Sequence, residues 1–99
     1  MTDNSTFSKL LELLDNATET VREYSGGYSG SFLSAEDFHK ELKLAVDRLK
    51  SNDMTVLDKI QTWFLPTSAW DDFVGMDGIH LGNSISDLTA KIINKSKVL

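Results

Sequence analysis

Three aspartates and a histidine crowd one short stretch. They are Asp71, Asp72, Asp77 and His80, within PTSAWDDFVGMDGIHLGN, residues 66–83. Carboxylates and an imidazole at close spacing are the raw material of metal binding and of acid/base catalysis. Calcium loops place oxygen donors at alternate positions and end on a carboxylate twelve places from the first. The pattern here is Asp-Asp-x-x-x-x-Asp, which lacks that spacing. Zinc takes Cys and His ligands, and the chain has no Cys and only His39 and His80. For catalysis, a working carboxylate pair must converge on one bond. Adjacent Asp71 and Asp72 on a helical turn point about 100° apart. His80 beside Asp77 supplies a base, but no nucleophile with an oxyanion hole accompanies it. The plainer reading of His80 is a loop residue bonded to local backbone, and His39, next to Phe38, belongs on a helix flank. The Gly-rich SGGYSGS, residues 25–31, fits neither a P-loop nor a dinucleotide fingerprint, and no Lys follows it. No catalytic residue, metal ligand set or cofactor is therefore expected. A small metal-binding or hydrolytic domain using Asp71, Asp72, Asp77 and His80 stays as the alternative, beside a plain helical adaptor.

Charge gives a different clue. Ten basic and fifteen acidic residues leave a net charge of −5. Such a balance disfavours nucleic acid, which is gripped by Lys and Arg on phosphates, and anionic lipid. It suits a basic protein partner. The acids are not evenly spread. From Asp53 to Ala90, six aspartates (Asp53, Asp58, Asp71, Asp72, Asp77 and Asp87) face one base, Lys59. Between Ile60 and Ala90 there is no Lys or Arg. Asp53, Asp71 and Asp87 also read as helix caps, so part of this signal is structural.

Ninety-nine residues fit one domain, since two would each have too small a core. A hydrophobic fraction of 40% and a charged fraction of 25% are globular values. Without Cys there is no disulfide or thiolate site. The N-terminus reads as no signal peptide, and no apolar run reaches the roughly 18 to 20 residues that span a bilayer. The expected location is cytoplasmic, which makes the sequons at Asn4, Asn16 and Asn94 chance matches.

The elements that must position the aspartates read as helices. Phe7, Leu10, Leu11, Leu14, Ala17, Val21 and Tyr24 recur at three- and four-residue spacing, predicting a helix over 5–24. Ser34 with Asp37 predicts a capped start for a second helix. Leu33 and Phe38 occupy the positions of a hydrophobic staple. Phe38, Leu42, Ala45, Val46 and Leu49 continue it to Lys50. A third helix starts from Asn52 or Asp53, carries Val56, Leu57, Ile60, Trp63 and Phe64, and stops at Pro66. Ser68 predicts a capped turn holding Trp70 and Phe73. Residues 75–82 are too glycine-rich for a helix interior. The last helix is expected over 83–96 with Leu81, Ile85, Leu88 and Ile92 inward, and Lys91, Lys95 and Lys97 at the negative end of its dipole. No segment alternates as strands do. The expected fold is all-α: a compact bundle of about four helices, with a structured Gly-rich connection before the last one.

Trp63 and Phe64 continue an apolar stripe and read as core. Trp70 sits beside two aspartates, a setting common at protein–protein hot spots. The segment WFLPTSAWDDFVGMDGIHLGNSI resembles small acidic bacterial proteins with a pattern like W-F-x-P-x-x-x-W-D-D-F-x-G-x-x-G-x-x-L-G-N, a likeness covering roughly residues 56–90. In size, charge and lack of Cys the chain also resembles immunity proteins of contact-dependent growth inhibition and related polymorphic toxin systems. That resemblance is one of class, and it transfers no binding residue individually. It implies a non-enzymatic inhibitor that covers the active site, or an adjacent surface, of a basic toxin domain, in the leading case a nuclease. The partner-binding residues expected from the aspartate-rich span are Trp70 as anchor, Asp71, Asp72 and Asp77 as charge partners, and Asp58 and Asp87 flanking them.

Overall fold

The computed structural model describes residues 4–27, 32–65 and 68–97. The chain forms α1 (Asn4–Arg22), α2 (Ala35–Lys50), a 3₁₀ turn (Met54–Val56) running into α3 (Leu57–Phe64), the short α4 (Ala69–Phe73), a second 3₁₀ turn (Gly75–Gly78) and α5 (Ile79–Lys97). The architecture is an all-α bundle, with four longer helices and one helical turn. No helix among the described residues is long and apolar enough to cross a membrane. Pro66, expected to stop the third helix, lies outside the described residues. So do residues 28–31 of the Gly-rich connection and the side chains of Lys95 and Lys97.

Each long helix buries one stripe. Leu10, Leu14, Ala17 and Val21 line the inner face of α1, and Phe38, Leu42, Ala45, Val46 and Leu49 that of α2. The sides of this core are closed by Val56, Leu57, Ile60 and Phe64 from the third segment and by Ile85 from α5. Thr89 is a fully buried polar residue on α5, and its hydroxyl donates to the Ile85 carbonyl at 2.7 Å. A buried hydroxyl without such a partner would cost free energy.

The α1–α2 connection is held by backbone. The Ala35 N–H donates to the Gly26 carbonyl at 2.7 Å, and the Gly26 N–H donates to Glu36 Oε1 at 2.8 Å. That backbone bond is the main reason the Glu36 carboxyl lies below its ordinary pKa. At the other end of α2, Lys50 Nζ meets Asp15 in mid-α1 at 2.8 Å. The end of α1 thus adjoins the start of α2, while the end of α2 lies part-way back along α1. The two helices run antiparallel. The Lys50–Asp15 pair is half exposed, so it contributes about 0–1 kcal/mol.

Ser34 caps α2 as its position predicts, accepting the Asp37 N–H at 3.2 Å. The staple does not form with Leu33, which is 78% exposed. Phe32 takes the inward place instead. Its ring lies 5.1 Å from Phe38, 5.7 Å from Trp63 and 6.5 Å from Phe73, centroid to centroid. Neighbouring side chains on an extended approach point to opposite sides, and the larger ring is the one turned to the core. α2 ends through Asn52 in the left-handed region (φ 69°), which Asn tolerates. Asp53 then caps the 3₁₀ turn, accepting the Thr55 N–H at 3.1 Å and its hydroxyl. These bonds from Thr55, the side-chain one first, hold the Asp53 carboxyl below its ordinary pKa.

Two expectations about the last third need correction. α5 begins at Ile79, four residues before the expected start, so His80 sits in its first turn and not in a loop. Asp87, expected as a cap, lies inside α5. The glycines that argued against a helix here are accounted for by Trp70.

Candidate functional site

Trp70 is the residue around which residues 68–82 are arranged. It is 3% exposed. The role of surface anchor expected for it is therefore corrected: its ring is core in this fold. The indole lies over α5 and the turn before it. A Cβ placed on Gly78 would stand 2.5 Å from Trp70 Cζ2, and one on Gly82 would stand 2.6 Å from Cδ1 and Nε1. No real contact is that short, so both positions must lack a side chain. Their spacing of four puts them on one face of a helix, and together they make the trough that the ring fills. Trp70 Nε1 donates to the Gly78 carbonyl at 2.8 Å, so the buried polar atom is satisfied. The Phe64 ring, at the end of α3, is 5.0 Å from it. Since α3 and α5 pack on each other, this places the end of α3 beside the start of α5.

The same packing fixes α4. Ser68 stands at its start but makes no side-chain cap, so the expected hydroxyl cap is absent. The turn closes through backbone, Asp72 N–H to Ser68 O at 2.9 Å and Val74 N–H to Trp70 O at 2.8 Å. Gly75 then takes a left-handed conformation (φ 66°) that L side chains adopt rarely. The chain reverses there into the second 3₁₀ turn.

With Trp70 and Phe73 turned inward, Asp71 and Asp72 on α4 and Asp77 on the 3₁₀ turn are exposed. Asp77 accepts a hydrogen bond from the Tyr24 hydroxyl at 3.3 Å. Tyr24 follows the end of α1, so this bond ties the aspartate corner to the α1–α2 connection. Desolvation first, then the negative charge of Asp77 and the bond to it, raise the Tyr24 pKa above its ordinary value. Phe32 and Gly27 from the same connection approach Phe73. Asp58 and Asp87 are exposed too. Asp58 lies about 9 Å along α3 from Phe64, and Asp87 about 7.5 Å along α5 from Gly82, taking 1.5 Å per residue. Both step away from the corner toward the same end of the molecule. The structure therefore groups Asp71, Asp72 and Asp77 at one corner and sets Asp58 and Asp87 more than a turn away.

No group of three or more Asp, Glu or His among the described residues is placed to hold a metal ion. His80 is exposed on the first turn of α5. What sequence reasoning missed is Met76. It stands between Gly75 and Asp77 and is 78% exposed, whereas Trp70 is buried. The periodicity of residues 66–83 carries no signal for it, because the reversal at Gly75 breaks the helical register.

No protein-family model, curated protein or solved structure matches the chain.

Proposed function

We propose that this chain is a protein-binding inhibitor, an immunity protein that neutralises a basic toxin domain by covering its active site or an adjacent surface. The observation that carries the reading is the acidic corner. Asp71, Asp72 and Asp77 project from a frame locked by Trp70, and no Lys or Arg occurs from Ile60 to Ala90. Exposed aspartates on a rigid frame are pre-organised, so little ordering entropy is lost when a partner docks. A nuclease must attract phosphate, so its cleft is basic. An acidic helical surface fits such a cleft by charge. Asp58 and Asp87, farther along α3 and α5, extend the same field rather than the contact.

The test is direct. A candidate toxin nuclease domain, sought among the genes that neighbour this one, is purified, and its cleavage of DNA and of RNA is followed as this protein is titrated in. Loss of cleavage at a one-to-one ratio is the expected result, together with survival of cells that express both. Undiminished cleavage at molar excess, with no rescue of growth, would sink the reading.

A further inference from the structure

The second 3₁₀ turn and the first residue of α5 bring two exposed apolar side chains side by side. Met76 is 78% exposed and Ile79 is 36% exposed. The Ile79 N–H donates to the Met76 carbonyl, three residues back. Side chains three apart in such a turn stand one above the other on the same face. Gly78, between them in sequence, is buried, and its carbonyl is taken by Trp70 Nε1 at 2.8 Å. The indole therefore fixes the turn from the inside while Met76 and Ile79 stay in solvent. Neither is among the apolar side chains that build the core or pack on it. Exposed hydrophobics scattered singly need no explanation, but an adjoining pair on a fixed frame does. Methionine suits a protein contact because its flexible thioether fills irregular pockets.

Charge decides what covers the pair. Asp77 is exposed on the same turn, and α4, with Asp71 and Asp72 exposed, packs on that turn. No Lys or Arg occurs from Ile60 to Ala90, so α4, the turn and the first three helical turns of α5 supply no basic side chain. A second copy docking face to face would bring these carboxylates together, and like charges in contact are unfavourable. A basic partner sets cations against them instead. We infer that Met76 and Ile79 form the apolar contact of this corner, for a segment of a partner protein that carries an aliphatic or aromatic side chain beside Lys or Arg. This deepens the protein-binding reading above and rests on it, but not on the partner being a nuclease. The carboxylates select a basic segment, and the Met76–Ile79 pair holds its apolar side chain.

Panning a random peptide library against the whole protein, then synthesising an enriched peptide, tests this without a known partner. Enriched peptides should carry Lys or Arg beside an aliphatic or aromatic residue. Met76→Gln keeps the length of the side chain, and Ile79→Thr keeps its branch. Each should bind the peptide about tenfold more weakly, as loss of a hot-spot contact does. Leu44→Gln, at a half-exposed position on α2, should bind it as tightly as the parent. Thermal melts of Met76→Gln should match the parent's, so its result stands even if Ile79→Thr loses stability. Unchanged binding by Met76→Gln overturns the inference, and so does a library that enriches no basic, apolar peptide. Self-association of the parent that Met76→Gln abolishes overturns it too, and gives the face to a second copy. Peptide binding as expected, with no candidate toxin nuclease inhibited, would instead defeat the toxin reading alone.

Discussion

Trp70, Gly78 and Gly82 act as one unit, and their energetics can be weighed residue by residue. Ala in place of Gly82 adds helix propensity worth about 1 kcal/mol. It also drives a methyl to 2.6 Å from the indole, and overpacking of this kind costs about 1–3 kcal/mol. The clash is with a ring held by its own hydrogen bond, so it cannot swing aside without losing that bond. The propensity gain offsets part of the overpacking cost, so Gly82→Ala is expected to lower stability by up to about 2 kcal/mol, read as a lower urea midpoint with unchanged slope. A midpoint at or above the parent's would show that the ring is not fixed in the trough. Glu36 carries a second residue-scale prediction. Its folded pKa is depressed, so its contribution is present above the unfolded value, near 4.5, and disappears as pH falls through the folded value. Glu36→Gln should accordingly lose stability at neutral pH. The difference from the parent should shrink as melts are taken further below pH 4.5, and a pH-independent gap would exclude the carboxylate as its cause.

At the scale of elements, the long helices were legible because each buries a single stripe of period 3.6, and periodicity reports that directly. The Ser34 and Asp53 caps were legible because a cap is a local bond between near neighbours. What escaped is tertiary. Gly78 and Gly82 look like helix breakers until Trp70, eight and twelve residues earlier, is seen to occupy the space where their side chains would be. The aspartates of the corner could be named from composition. Their separation from Asp58 and Asp87, and the burial of Trp70, could not, because both depend on how the chain turns at Gly75. Leu33 was assigned to the staple for a similar reason: sequence shows which position precedes a cap, not which of two apolar neighbours turns inward. This makes a paired prediction. Phe32→Ala removes a ring that touches Phe38, Trp63 and Phe73, and should cost about 3–5 kcal/mol. Leu33→Ser should stay within about 0.5 kcal/mol of the parent. Equal losses in denaturant melts would restore Leu33 to the staple.

Across the whole molecule, charge is segregated along the last helix. α5 starts beside the aspartate corner and carries Lys91, Lys95 and Lys97 in its final turns. Ile79 and Lys91 are twelve residues apart, or about 18 Å along the axis. That exceeds the screening length of about 8 Å at physiological salt, so the lysines do not neutralise the corner. The charges that α4 and the turn after it put at the corner are Asp71, Asp72 and Asp77, with Asp58 and Asp87 behind them. Steering of this kind changes association rates more than dissociation rates. Replacing Asp71, Asp72 and Asp77 together with Asn keeps side-chain volume while removing three charges. Against a basic partner domain, the triple variant should associate about tenfold more slowly at low salt. The parent's rate should fall steeply as salt is raised, whereas the variant's should change little, so that the two converge. Dissociation should differ far less. Stopped-flow association at several salt concentrations measures all of this. Parallel salt dependences for parent and variant would mean that these three aspartates do not guide the encounter.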